Sequence, residues 1–189
     1  MPITKLDSKT ALVLIELQKM VVSRALAPFT AGHIIKNSVS LVSAFRKAGL
    51  PIVVVNVIPA QRTVPLRSDT KMPVMQFQKE WVDIIPEIAV HPDDILITKH
   101  TWSAFYNTPL DEELQKRGVT GIVLAGVATS IGVEGSARGA YKRGYNITFA
   151  SDAMSDTNEK AHENSLTVIF PRIGEVDSTK AILEYLDRA

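Results

Sequence analysis

Three segments of this 189-residue sequence carry groups that could do chemistry together. Glu16 follows one short apolar run, Lys99 follows another, and a glycine-containing turn spans residues 126–132. A carboxyl group can act as a general acid or base, an ammonium can tune its charge state, and backbone N–H groups can bind a negatively charged oxygen. The pattern predicts an acid–base site if the fold brings the three segments together. A buried Glu–Lys pair with a purely structural role is the alternative that spacing leaves open.

The turn lacks the nucleophile that its shape would favour. Residues 121–138 predict a buried strand, a tight turn and the start of a helix, the place where an α/β hydrolase presents an attacking side chain. Gly132 stands at the start of this helix, and the chain contains no Cys, which excludes thiol catalysis and disulfides. Ser130 carries a nearby hydroxyl, but it would need a base and the right orientation to attack. The first N–H groups of the helix could bind an oxyanion, or Gly132 could simply serve close packing.

Alternating strands and helices must position these groups. Continuous apolar runs predict strands, covered on both faces, at residues 11–15, 52–58, 95–98, 121–125 and 146–150. Helical spacing predicts helices over residues 30–47, 110–117, 133–143 and 178–186. Thr30 and Gly49 are the predicted caps of the first helix. This order predicts a parallel sheet with helices on both faces, whose ligands bind at the carboxyl ends of the strands.

The composition favours a single soluble domain over residues 1–189. The chain has 21 Lys and Arg against 20 Asp and Glu, and this balance gives no electrostatic argument for a nucleic acid or a membrane surface as partner. It shows neither a signal core nor an apolar run of membrane-spanning length, so we expect a cytoplasmic protein. The four His have no metal-ligand spacing, and we expect no metal and no cofactor.

Other segments carry weaker signals. Residues 59–73 have no periodic pattern, which is typical of a lid, a binding loop or an oligomer contact. Asp152 and Asp156 follow the fifth predicted strand, and one of them is expected to cap the next helix. Trp102 and Phe105 could line a pocket or fill the core. Apolar patches at residues 21–29 and 166–170 could form an interface between copies of the chain.

Three blocks, in order along the chain, resemble the isochorismatase-like, or cysteine hydrolase, family. They are ALVLIELQ at residues 11–18, TKHTWSAF at 98–105 and GVATSIGVEGSAR at 126–138, continued at 144–145 and 151–153. The family lysine matches Lys99, and Glu16 stands where the family usually has Asp. The resemblance covers most of the chain. It implies a three-layer α/β/α sandwich around a six-stranded parallel sheet of Rossmann-type topology, an oligomer, and a cis peptide bond between Val127 and Ala128.

Two departures from the family pattern bear on the chemistry. The amidase members carry a Cys where Gly132 stands, and that Cys attacks an amide carbon, so we do not expect that mechanism here. True isochorismatases lack the Cys and cleave a vinyl ether after an acidic side chain protonates the substrate, which Gly132 fits. Glu16 is longer than Asp by one C–C bond, about 1.5 Å. A misplacement of about 1 Å can cost about 100-fold in rate, so Glu16 must sit differently.

These observations predict an isochorismatase-like hydrolase that acts on a small molecule by acid–base catalysis without a Cys nucleophile. The predicted catalytic residues are Glu16 as acid or base, Lys99, which would hold its charge state and orient the substrate, and Gly132. The predicted substrate-binding residues are Asn56, Trp102, Phe105, Ala128, Thr129 and Ser130, with the N–H groups of Ala128 and Gly132 binding negative charge. One alternative is a family member that has lost catalysis and serves ligand binding or assembly. Another is a hydrolase that uses Ser130 as its nucleophile.

Overall fold

The computed structural model describes residues 3–58 and 79–187, and its centre is a single parallel sheet. The strands are β1 Thr10–Ile15, β2 Ile52–Val57, β3 Ile95–Lys99, β4 Gly121–Val127, β5 Asn146–Ser155 and β6 Glu175–Asp177. Their order across the sheet is β3-β2-β1-β4-β5-β6. The chain leaves β1 toward β2 on one side, and β4 lies on its other side. The carboxyl ends of β1 and β4 therefore flank the crevice where sheets of this topology bind ligands.

Helices cover both faces of the sheet. They are α1 Lys19–Val22, α2 Ala31–Lys47, α3 Leu110–Lys116, α4 Glu134–Tyr141, α5 Glu159–Asn164 and α6 Thr179–Leu186. Short 3-10 turns lie at Lys79–Val82, Pro86–Ile88 and Phe170–Arg172, and π-helical turns lie at Thr129–Val133 and Ser165–Ile169. Thr30 caps α2 as predicted, because its side chain accepts the His33 N–H. Gly49 follows the end of α2 with a φ of +67°, a conformation that favours glycine.

The burial of β1 explains why its sequence is continuously apolar. Ala11, Val13 and Ile15 belong to the core that includes residues of α3 and α4. Leu12 and Leu14 belong to the core on the other face, with residues of α2 and α6. No residue of β1 is more than 1 % exposed. The predicted three-layer α/β/α sandwich with six parallel strands is therefore confirmed.

The two edge strands depart from the predicted pattern. In β3, Ile95 and Ile97 are buried, but Leu96 is 64 % exposed, so the prediction that this run is covered on both faces is wrong. β3 lies at the edge of the sheet, and only its Ile95 and Ile97 face joins a core cluster of the described residues. β6 is three residues long, half-buried, and carries two acidic residues, so no apolar run marks it. Sheet edges require less apolar sequence than central strands because one side pairs with no neighbour.

Two further predictions concern the loop and the membrane. The predicted loop at residues 59–73 lies outside the described residues. Within the parts of the chain that the structure describes, every helix is too short or too polar to cross a lipid bilayer.

Candidate active site

Glu16 and Lys99 meet at the carboxyl edge of the sheet. Lys99 Nζ lies 2.6 Å from Glu16 Oε1, and it donates a second hydrogen bond to the Thr101 carbonyl oxygen at 2.7 Å. The Lys99 side chain is 1 % exposed, whereas that of Glu16 is 13 % exposed. The ammonium is therefore covered while the carboxyl group keeps an open surface. The contact with Glu16 agrees with the predicted role of Lys99 in holding the charge state of the acid, and its role in orienting the substrate stays a prediction.

The backbone of Glu16 turns its side chain away from the regular alternation of β1. Its φ is +52°, in the left-handed region that non-glycine residues rarely adopt. A regular strand would point residue 16 to the face that holds Leu14, because successive side chains alternate. Lys99 lies two residues after Ile97 and therefore on the same face as Ile97, which is the face opposite to that of Leu14. The positive φ thus accompanies a side chain that reaches over the end of the sheet to the ammonium.

Burial raises the pKa of Glu16 above its usual value, and the opposing effect of the Lys99 ammonium is smaller. A carboxyl group with a raised pKa keeps its proton to higher pH, which suits a general acid. When the proton leaves, the adjacent ammonium stabilises the carboxylate that remains. The pair therefore provides a proton donor whose charged product has a partner already in place.

Gly132 lies directly against the Glu16 carboxyl group. A Cβ on Gly132 would lie 2.5 Å from Glu16 Oε1 and 2.9 Å from Ile15 Cγ2, closer than real Cβ atoms come to other atoms. The carboxyl group therefore occupies the space in which any side chain at position 132 would begin. The two departures from the family pattern, Glu16 and Gly132, therefore lie in direct contact, and in this conformation the longer acid uses the space that a side chain at position 132 would take.

The turn after β4 begins with a cis peptide bond between Val127 and Ala128, which confirms that prediction. The backbone then forms the π-helical turn Thr129–Val133 before α4 starts. The N–H groups of Ile131 and Val133 both donate to the Ala128 carbonyl oxygen, at 3.1 Å each. Those two groups are engaged within the turn and do not serve a ligand.

Two buried side chains from beyond β5 hold this turn, and sequence reasoning missed both roles. Asp156 Oδ2 accepts hydrogen bonds from the N–H and from the hydroxyl of Ser130, both at 2.8 Å. His162 Nδ1 shares a hydrogen bond of 2.8 Å with the Thr129 hydroxyl. Asp156 is 2 % exposed and His162 is 3 % exposed. No local sequence pattern predicts these contacts, because Asp156 lies 26 positions from Ser130 and His162 lies 33 positions from Thr129.

The predicted helix cap lies elsewhere. Asn158 caps α5, because its side chain accepts the N–H of Ala161. Asp156 accepts the N–H groups of the two residues that follow it, and Asp152 accepts the N–H of Thr179 at the start of α6. The expectation that Asp152 or Asp156 caps the helix after the fifth strand is therefore wrong. A third polar residue, better placed before the first turn, takes that role.

The other predicted binding residues are dispersed. Thr129 is fully buried, and the Ser130 hydroxyl is committed to Asp156. Phe105 is 3 % exposed and packs in the core, with its ring 5.8 Å from that of Tyr145. Trp102 is 63 % exposed. The structure thus places Phe105 in the core and leaves Trp102 at the surface.

Asn56 lies on the sheet face opposite to Lys99. It alternates with Val55, which belongs to the core of α3 and α4, so its side chain extends from the other face. There its Oδ1 accepts a hydrogen bond of 2.8 Å from the Thr98 hydroxyl. Among the described residues its side chain is bonded to Thr98 and not to the Glu16–Lys99 pair, and the substrate-binding role of Asn56 stays a prediction.

A cavity of about 380 Å³ opens beside α5. Phe29, His162 and Leu166 are among the residues that line it, and Glu16 is not. The cavity joins ends of the two apolar patches predicted at residues 21–29 and 166–170. In the described part of the chain, no three His, Asp or Glu side chains converge to hold a metal ion.

Comparison with known proteins now places this geometry in a family. The isochorismatase domain model matches residues 10–181. The chain belongs to the isochorismatase family. The members of this family are generally hydrolases.

Individual relatives agree with this assignment. The uncharacterized isochorismatase family protein YwoC of Bacillus subtilis is 41 % identical over 181 residues, which are 93 % of each chain. An isochorismatase family protein from Burkholderia thailandensis has a TM-score of 0.90 at 36 % identity, covering 96 % of this chain and 97 % of that one. N-carbamoylsarcosine amidase from Thermoplasma acidophilum has a TM-score of 0.74 at 26 % identity, covering 90 % and 96 %. The cytoplasmic location and the homo-oligomer stay predictions.

Proposed function

We propose that this protein is a hydrolase that acts on a small molecule by acid–base catalysis, with Glu16 as the proton donor and without a covalent enzyme intermediate. The observation that carries the proposal is the position of Glu16 Oε1, 2.5 Å from where a Cβ on Gly132 would lie. The acid fills the space of a side-chain nucleophile. An amide hydrolase of the family type would need that space for a Cys, so the proposal excludes that mechanism for this chain.

A vinyl ether is the bond that this arrangement suits best. Protonated Glu16 gives its proton to the terminal carbon of the C=C bond, and the π electron pair forms the new C–H bond. The resulting oxocarbenium ion takes up water, which loses a proton to the Glu16 carboxylate. The hemiketal then breaks its C–O bond: the leaving oxygen takes the proton from Glu16, the hemiketal hydroxyl returns a proton to the carboxylate, and a carbonyl compound and an alcohol result with Glu16 protonated again. No step requires a nucleophilic side chain.

The neighbouring groups support this sequence of steps. The Lys99 ammonium, 2.6 Å from Glu16 Oε1, stabilises the carboxylate between proton donation and recovery. Lys99 is itself covered, so it is a positioning residue. The N–H groups of Ala128 and Gly132 would hold a negatively charged oxygen of the substrate, because amides at the start of a helix favour anions.

A panel of three substrates tests the proposal. We expect turnover of an isochorismate-type vinyl ether and none of a matched amide or ester. Glu16→Gln keeps the size of the side chain but removes the transferable proton, and it should lower kcat by about 100- to 10,000-fold. Glu87→Gln, at an exposed position, is the matched control and should leave kcat unchanged. Amide turnover by the wild type, or full activity of Glu16→Gln, would contradict the proposal.

The two alternatives give different results in the same experiment. A family member that only binds would turn over none of the three substrates but would retain tight binding of the vinyl ether. A Ser130 nucleophile would form a covalent adduct with an electrophilic ester. We do not favour Ser130, because its hydroxyl donates to Asp156 and the nearby His162 is bonded to Thr129 instead.

A further inference from the structure

We propose that Asp156 and His162 are positioning residues that fix the turn carrying the anion-binding N–H groups of the active site. The inference extends the proposed function, on which its activity readout rests. Neither residue contacts Glu16 or Lys99 through a hydrogen bond or ion pair in the described part of the chain. Both act through residues of the turn, Thr129 and Ser130, which precede Gly132 by three and two positions.

Asp156 has the contacts expected of a fixed anchor. Its Oδ2 accepts two hydrogen bonds from Ser130, and its Oδ1 accepts the N–H groups of Thr157 at 2.7 Å and Asn158 at 3.2 Å. Among the described residues, no Lys or Arg forms a salt bridge with this carboxylate. A carboxylate that is 2 % exposed requires such hydrogen bonds, because water no longer solvates it. Four donors therefore hold Asp156 in one orientation and the turn with it.

The anchor is also tied to the chain that follows β1. The backbones of Ala27 and Asp156 exchange two hydrogen bonds. The N–H of Ala27 donates to the Asp156 carbonyl oxygen at 2.8 Å, and the N–H of Asp156 donates to the Ala27 carbonyl oxygen at 3.1 Å. The adjacent Ser155 hydroxyl donates to the Phe29 carbonyl oxygen at 2.8 Å. Asp156 thus connects the turn after β4 with the segment after β1 and α1. These two segments continue from the strands whose carboxyl ends flank the crevice.

His162 holds the neighbouring residue of the turn. Its Nδ1 bonds to the Thr129 hydroxyl, and its ring stands edge-on to that of Phe29 with 6.1 Å between the ring centres. Burial lowers the pKa of His162, an effect that the nearby Asp156 and Glu159 carboxylates oppose. A neutral imidazole can make this contact without placing a positive charge in the interior. Two adjacent residues of the turn are therefore held by two side chains from one neighbouring segment.

This arrangement matters for catalysis because the turn carries Ala128 and Gly132. If the turn relaxes, the predicted N–H donors move relative to Glu16 while the acid stays in place. A displacement of about 1 Å in an active site can cost about 100-fold in rate. Because these donors would hold the substrate both before and during the reaction, the expected result of loosening the turn is a slower reaction together with weaker substrate binding.

Four variants test the inference with the full-length protein. Asp156→Asn keeps the size of the side chain but turns one accepting oxygen into a donor that faces other donors. His162→Leu removes the bond to Thr129, and His162→Asn can restore it because the Asn amide lies near the position of Nδ1. Asp7→Asn is the control. Asp7 also accepts hydrogen bonds from two polar side chains, Thr120 and Asn146, but it lies at the amino ends of the strands, away from the turn after β4.

On the vinyl ether, Asp156→Asn and His162→Leu should lower kcat by about 10- to 100-fold, because the substrate is displaced relative to Glu16, and should also raise KM. His162→Asn should recover most of the His162→Leu loss, and Asp7→Asn should keep the wild-type kcat. Melting temperatures measured in parallel separate this effect from general destabilisation. The inference is overturned if the Asp156 variant keeps the kcat of the control, or if His162→Asn is as slow as His162→Leu.

A second readout does not depend on turnover. In ¹H–¹⁵N spectra of labelled protein, the amide signals of Ser130 and Gly132 should shift in the Asp156→Asn and His162→Leu variants and stay in place in Asp7→Asn. If the wild type turns over none of the three substrates, the proposed function fails, and the spectra alone decide the inference. Unshifted Gly132 signals in both variants would overturn it even if the enzyme is active.

Discussion

Two buried carboxyl groups lie near the turn that follows β4, and their surroundings differ. Glu16 has a cation 2.6 Å away, a raised pKa and a side chain that is 13 % exposed. Asp156 has no cation partner among the described residues, accepts four hydrogen bonds and is 2 % exposed. Three backbone N–H groups and the Ser130 hydroxyl hold Asp156 in a single orientation. The Glu16 environment instead leaves the gain and loss of a proton open, as an acid–base group requires.

This difference indicates that Glu16 is the carboxyl group suited to proton transfer and that Asp156 has a structural role. Desolvation acts on both groups, but at Asp156 four donors point at the carboxylate. At Glu16 the Lys99 ammonium, with a smaller contribution from the Arg24 charge, compensates only in part, and some of the carboxyl surface remains accessible. A buried carboxyl group with incomplete compensation and an open side is therefore the better candidate for proton transfer.

The largest expected effect comes from removing the cation beside Glu16. Lys99→Met leaves a buried carboxyl group without its partner and should lower the free energy of unfolding by about 3–5 kcal/mol. The double variant Lys99→Met/Glu16→Gln removes both charges and should recover much of that loss. Urea denaturation of the two single variants and the double variant measures the coupling. Additive losses would show that the two side chains do not stabilise each other.

A smaller effect should follow from filling the space beside Gly132. Gly132→Ala places a methyl group against Glu16 Oε1 and should cost about 1–3 kcal/mol, as overpacking of a core does. Glu16→Asp shortens the acid and should relieve that cost in the double variant. Gly32→Ala in α2 is the control, because nothing lies within 4 Å of its Cβ position, and it should be neutral or stabilising. Denaturation curves for the four variants give the result, and an equal cost with Asp at position 16 would refute the steric coupling.

The raised pKa of Glu16 predicts how activity depends on pH. The donor is competent while Glu16 is protonated, so kcat should be highest below this pKa. It should fall about tenfold for each pH unit above it. A pH–rate profile on the vinyl ether measures the fall. Glu87→Gln should show the same profile as the wild type. A rate that instead rises with pH over this range would assign Glu16 the role of a base.

The smallest expected effect concerns His162 and the stability of the turn. The pKa of His162 is lowered in the folded state, so the unfolded chain binds its proton first as the pH falls. Stability is therefore complete above the unfolded value of about 6.5 and declines below it, by at most about 1.4 kcal/mol per pH unit. His162→Asn cannot titrate and should decline less between pH 7 and pH 5. Identical declines in both proteins, measured by denaturation at each pH, would assign the effect to other groups.

The sequence predicted the central strands well and the edges poorly. β1, β2 and β4 are buried between two helical layers, so their sequences are continuously apolar and easily recognised. β6 pairs only with β5 over three residues, and its composition carries no such signal. The family resemblance, and not the pattern of β6, gave the count of six strands. The caps of α2 and the end of α3 before Gly118 were readable because they depend on neighbouring residues alone.

By itself, the sequence determined that Glu16, Lys99 and the turn after β4 lie at one edge, because parallel strands bring their carboxyl ends together. Only the tertiary structure decided that Glu16 fills the space that Gly132 leaves, because this depends on the positive φ of Glu16 and on a contact between separate strands. It also decided that Asp156 and His162 hold the turn. Such contacts join residues that are distant in the chain, and the apolar periodicity that predicts helices and strands does not predict them.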